Sequence, residues 1–207
     1  MPGCGKSTIS HLVAEELRKQ GKTVSEPTYD VDHKYSSEKR KVIKLIGLAR
    51  YAFAFPGKYR KLIRLIKANG YSGSDLISQA VNIAPKLWAY EKAVADFVIF
   101  DEGLTQSAIS LCQGKINSVD NKASLYNLSK KRKVQDIYIK VTINTALERI
   151  ACRDNHDSRI EKIDDAGMRK HAIKAFEKEC DLITTNCLIE DCELEDSVTR
   201  IINRLLL

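Results

Sequence analysis

No C-x-x-C pair occurs among the six cysteines of this chain, Cys4, Cys112, Cys152, Cys180, Cys187 and Cys192, and none is flanked by histidine at zinc-ligand spacing. That pattern argues against a zinc module and a disulfide framework, so reduced thiols in a cytoplasmic protein are the expectation. No uninterrupted apolar run approaches the roughly 20 residues that cross a bilayer. The N-terminus also lacks a signal peptide's apolar region, so neither secretion nor stable membrane insertion is expected. Internal repeats and low-complexity tracts are missing, and His11, His33, His156 and His171 form no metal-ligand spacing.

What is present fits one domain over residues 1–207: 43% of the residues are hydrophobic and 29% charged, enough for a sizeable core. The charge is unevenly spread. The chain carries +7, yet the stretch from Lys34 to Lys67 holds eleven basic side chains against the single acid Glu38, leaving about −3 for the remainder. Such asymmetry points to a phosphate-rich ligand, a nucleic acid or an anionic surface for that stretch. The competing account is that Lys41, Lys44, Arg50, Arg60, Lys61, Arg64 and Lys67 are the solvated rims of two amphipathic helices. Arg50 or Arg60 could still turn inward to hold a substrate phosphate. Tyr51, Phe53, Phe55, Trp88 and Tyr90 read first as packing residues.

The first eight residues contain most of a phosphate-binding loop, G-x-x-x-x-G-K-[ST], ending in Gly5-Lys6-Ser7-Thr8. The pattern's first glycine would stand one position ahead of Met1, and the expectation is a chain clipped at its N-terminus, its preceding strand missing. A helical pattern follows, with Ile9, Leu12, Val13 and Leu17 on one side and Glu15, Glu16, Arg18 and Lys19 elsewhere. Backbone N–H groups at such a turn curl around phosphate.

Beyond Gly21 the sequence predicts strands at 23–26, 96–101, 136–143 and either 182–185 or 187–189. Residues 29–32 read as a polar loop. Helices are predicted at 33–55, 58–68, the 70s to 95 with a kink or break at Pro85, 105–113, 121–131, 146–152, 166–179 and 195–206. Strands alternating with helices imply an α/β fold with a parallel sheet covered on both faces. The helical stretch of about 32–95 is a substrate-binding insertion, and the polar segment of about 153–165 is a lid.

Several side chains fit phosphate chemistry. Lys6 can reach β- and γ-phosphates, and Ser7 can join Asp101, at the end of the apolar Phe97–Phe100 run, in holding Mg2+. Glu102 could orient an acceptor hydroxyl, complete the metal shell or pair with a basic neighbour. Glu26, Asp30 and Asp32 compete for the acceptor side, with an exposed turn as their alternative. Arg149, Arg153 and Arg159 could stabilise a phosphoryl group, unless Asp154, Asp157 and Glu161 neutralise them.

These residues resemble the P-loop nucleoside and nucleotide kinases, with the thymidylate kinase branch the nearest comparison. The likeness is carried by Pro2 to Thr8, Ser25-Glu26-Pro27, Phe100-Asp101-Glu102-Gly103 followed by Ser107, and Thr145 to Arg153 leading into an arginine-bearing lid. The resemblance implies a three-layer P-loop NTPase-type parallel sheet with helices on both faces and its first strand absent. It also implies transfer of the γ-phosphoryl of ATP, with Mg2+, to a small acceptor such as a nucleoside or nucleotide. Lys6, Asp101, Glu102, Arg153 and Arg159 would be catalytic. Gly3, Cys4, Gly5, Lys6, Ser7, Thr8 and Arg149 would bind the cofactor, while Glu26, Asp30, Asp32 and Arg50 would face the substrate. Glu102 stands where thymidylate kinases carry arginine, which disfavours thymidylate itself. The other classes are a nucleotide-dependent switch or nucleic-acid-associated ATPase, and a degenerate relative; a homodimer is compatible with any of them.

Overall fold

The periodic segment after Gly5 forms α1 (Lys6–Lys19), closed by Gly21 in the left-handed region at φ +78°. The computed structural model describes residues 3–112, 117–129, 134–152, 163–183, 188–190 and 194–206. Two compact units result. One, the split unit, joins Met1–Val13 to Val134–Leu207; the other, the helical unit, is Ala14–Lys133.

In the helical unit, β1 (Val24–Ser25) leads to α2 (Pro27–Lys34), α3 (Ser37–Ala54), α4 (Pro56–Ala68) and α5 (Gly73–Lys92). Then come β2 (Phe97–Val98), α6 (Leu104–Leu111) and α7 (Ser118–Leu128). The polar residues expected to form a loop after Pro27 are helical instead. Proline suits a first helical position, Asp30 pairs with Lys34 at 2.7 Å, and the Tyr29 and His33 rings stack at 3.9 Å. The predicted helix over 33–55 is consequently two, parted at Tyr35 and Ser36. α5 runs through Pro85, and α3 closes on that proline because position 47 is glycine: a Cβ there would fall 2.8 Å from the Pro85 Cβ.

The unit's core is built from Leu17, Tyr51, Leu62, Ile66, Ile83, Leu87, Leu104, Leu111 and Leu125, all fully buried. A buried amide pair ties the end of α4 to α7. Asn69 donates to Asn121 Oδ1 at 2.8 Å, Asn121 donates back to Asn69 Oδ1 at 3.0 Å, and Asn69 also donates to the Leu65 carbonyl at 2.9 Å.

The split unit contains β3 (Tyr138–Lys140), α8 (Ile143–Ala151), α9 (Ala166–Ile183), β4 (Leu188–Glu190) and α10 (Leu194–Leu206). The Thr142 hydroxyl caps α8 by accepting from the Thr145 amide at 3.1 Å. Cys4, Val141, Ala146, Ile150 and Ile173 form the unit's core, with Ile139, Ile143, Leu147 and Phe176 packed against it. Burial pushes the nearby Cys180 thiol up to about 11, well away from thiolate chemistry.

The three-layer parallel sheet expected from the sequence is contradicted. Ten helices and four strands occur among the described residues, and the strands make two separate parallel pairs. Val24 and Ser25 pair with Phe97 and Val98 in one unit; Tyr138 to Lys140 pair with Leu188 to Glu190 in the other. Two- and three-residue ladders leave little surface for helices to cover on both faces. The Phe97–Phe100 run is half-buried rather than a sheet interior, because its backbone pairs with a single neighbour. Its start is pinned by Asp96, whose carboxylate accepts from the Thr23 amide and hydroxyl at 2.8 Å each. No helix among the described residues is long and apolar enough to cross a membrane.

Replacing Asn69 by leucine leaves the Asn121 amide buried without its partner and should destabilise the fold by about 1–3 kcal/mol. The Asn69→Leu/Asn121→Leu double variant should lose less than the sum of the single losses in urea unfolding; strict additivity would show that the pair is not coupled.

Candidate functional site

The loop ahead of α1 is set by two left-handed glycines, Gly3 at φ +77° and Gly5 at φ +79°. Gly3 is packed so closely on α8 that a Cβ would stand 2.5 Å from the Ala146 carbonyl oxygen. Only glycine satisfies both that backbone angle and that approach. Cys4, 3% exposed, anchors the loop in the core. Arg149 lies against its other side: Nη1 donates to the Gly3 carbonyl at 3.5 Å, and a Cβ on Gly5 would stand 3.8 Å from the same nitrogen.

The helical ladder opens with the Ile9 amide donating to the Gly5 carbonyl at 3.0 Å. The amides of Lys6, Ser7 and Thr8 therefore precede that ladder, at the positive end of a 14-residue helix with no acid in its first turn. Gly3, Cys4, Gly5, Lys6, Ser7, Thr8 and Arg149 thus all belong to one loop and the helices flanking it. Arg153 and Arg159 lie outside the described residues.

The other singled-out residues fall in the helical unit. Glu26 is 2% exposed and ion-paired with Arg18 at 2.8 Å, and Arg18 also donates to the Val24 carbonyl. Asp30 pairs with Lys34 along α2, and Arg50 lies exposed on α3. Asp32 faces Arg40 and Lys44 at 3.8 and 3.6 Å. Asp101 accepts from the Glu102 amide at 3.0 Å, and Glu102 accepts from Gln106 Nε2 at 3.0 Å. Ser7 and Asp101, expected to share a metal, belong to different units. Among the described residues no group of three or more His, Cys, Asp or Glu side chains is arranged to hold a metal ion.

Sequence reasoning passed over Lys86. Its side chain is 15% exposed; Nζ donates to Ser107 Oγ at 3.2 Å and stands 3.9 Å from Glu102 Oε2. Burial lowers its pKa below the ordinary lysine value. Glu102 opposes that shift most strongly, Lys44 adds to it, and Asp101 and Asp32 oppose it. Three of the carboxylates singled out in the sequence therefore act on one lysine. The signal was its spacing: Gln79, Ile83 and Tyr90 are buried at the same helical interval, a pattern a solvated lysine does not share.

No protein-family model matches the chain, and neither any curated protein nor any solved structure does. Together with a mostly helical architecture carrying two short strand pairs, this overturns the resemblance to P-loop nucleoside and nucleotide kinases. The ATP-dependent transfer reading, the switch and ATPase alternatives and the degenerate-relative reading fall with it, as does the enzyme assignment itself. The scaffold that would seat a small phosphoryl acceptor is not the one this chain forms, and no acceptor site is found among the described residues. Among the described residues the strands make two separate pairs, not the sheet on which a kinase reading of the loop would depend.

Because folded Lys86 holds its proton less tightly than in the unfolded chain, its charge opposes folding at neutral pH. That penalty disappears as pH rises through the interval ending at the ordinary lysine value of 10.5. Nuclear magnetic resonance titration of the Lys86 side chain should give a pKa below 10.5, and Glu102→Gln should lower it further. Titration at the ordinary value in both proteins would contradict the burial of this amine.

Proposed function

We infer that this chain is an anion-binding protein that takes a phosphate-bearing ligand at the loop before α1. The observation that carries the reading is the pairing of two left-handed glycines with the start of a 14-residue helix whose first turn carries no acid, with the Arg149 guanidinium set against the same loop. Successive backbone amides in such a turn form a concave anion seat, and the helix dipole adds positive potential at the same point. Gly3, Cys4 and Gly5 supply the turn. Lys6, Ser7 and Thr8 supply the first helical turn, and Arg149 adds a planar cation suited to phosphate oxygens.

The reading is of binding, without group transfer. Pyrophosphate is the simplest ligand of the class, and ATP with Mg2+ is the larger member expected from the sequence.

Calorimetry should detect binding of pyrophosphate or of ATP with Mg2+ to the whole chain. Arg149→Met should weaken it about tenfold or more, since a charge-assisted contact contributes about 1.5–3 kcal/mol. Gly3→Ala should abolish it by displacing the loop from Ala146, while the circular dichroism of the helical unit is retained. No measurable binding of either ligand by the unaltered protein would contradict the reading.

A further inference from the structure

α3 turns an apolar stripe outward. Val42, Leu45, Ile46 and Phe53 are 54%, 51%, 44% and 88% exposed, and Ala49, also exposed, lies between them. The spacing of 42, 45, 46, 49 and 53 places all five on one side of a helix that advances about 100° per residue. The opposite side carries the buried Gly47 and Tyr51. An amphipathic helix ordinarily hides its apolar stripe against the core, whereas this one has a second stripe aimed at its surroundings. From Val42 to Phe53 the stripe runs about 16 Å.

The charges along its two long edges have one sign. On helical geometry, exposed Lys39 and Arg50 flank one edge and exposed Lys41 the other; Arg40 and Lys44 lie near the buried side, facing Asp32. Glu38, in the first turn, is the single acid of the helix; it lies in line with the stripe one turn ahead of Val42, at its N-terminal end. We propose that this face of α3 docks on an anionic lipid bilayer surface, with the aliphatic side chains and Phe53 entering the acyl boundary and Lys39, Lys41 and Arg50 at the level of the headgroups.

Three features select that occupant. The stripe lies along a single helix with cations on both edges, the arrangement of a helix lying in a membrane interface. A second copy of the same face would set basic edges against basic edges. The long lysine and arginine stems can cover apolar surface while their charges reach phosphate. This proposal rests on α3 alone and stands independently of the anion-binding reading of the loop before α1.

Co-sedimentation of the whole chain with phosphatidylcholine vesicles, with and without phosphatidylserine, tests the proposal. Binding is expected with phosphatidylserine, weaker without it, and declining with salt. Phe53→Ser and the triple variant Lys39→Glu/Lys41→Glu/Arg50→Glu should each reduce partitioning by at least about tenfold with circular dichroism unchanged, since every altered side chain is exposed. Failure to bind anionic vesicles at low salt would overturn the proposal. So would equal binding by the well-folded variants, self-association that buries the stripe without vesicle binding, or binding of an acidic peptide in place of vesicles.

Discussion

The contact between Gly3 and the Ala146 carbonyl is the constraint on which the rest of the N-terminal arrangement depends. A backbone that approaches another backbone this closely in the left-handed region admits no side chain, so the loop has one position relative to α8. With Cys4 buried beside Val141, Ala146 and Ile150, that position is held from both sides of the turn. α1 therefore starts at a fixed point, and the positive end of its dipole and the Arg149 guanidinium meet the same loop. The proposed anion seat would draw on these two positive groups.

The helical unit shows a different economy of polar groups. Asn69 and Asn121 satisfy one another in a fully buried position, which makes the α4–α7 register specific as well as stable. Lys86 is retained at a helical core interval with Ser107 and Glu102 as its neighbours, so a charged amine is kept where an apolar side chain would pack. The Asp32, Asp101 and Glu102 carboxylates acquire a shared electrostatic role through it, unlike the metal and acceptor roles that their strand-end positions suggested.

Much of the helical architecture was legible because α1, α4, α9 and α10 announce themselves by apolar periodicity. α2 was not, since Tyr29-Asp30-Val31-Asp32 reads as a turn until the Asp30–Lys34 and Tyr29–His33 contacts are seen. Phe97–Phe100 was misread for a general reason: a short apolar run announces burial but not how many neighbours a strand will have. Pro85 signalled a break, yet Gly47 gives its ring room beside an intact helix. At the site, Gly5-Lys6-Ser7-Thr8 identified the start of α1 correctly, while the inferred sheet, metal and catalytic group rested on association rather than on any local physical requirement.

The eleven basic residues between Lys34 and Lys67 also divide once the helices are known: Arg40 and Lys44 meet Asp32, whereas Lys39, Lys41 and Arg50 border an outward apolar stripe. The central claim concerns the loop, and residue-resolved amide shifts during a pyrophosphate titration test it most directly. The account predicts saturable shifts centred on the amides of Gly5, Lys6, Ser7 and Thr8 and on the Arg149 side chain. Shifts confined to the basic surface of α3 and α4, with those amides unmoved, would contradict it.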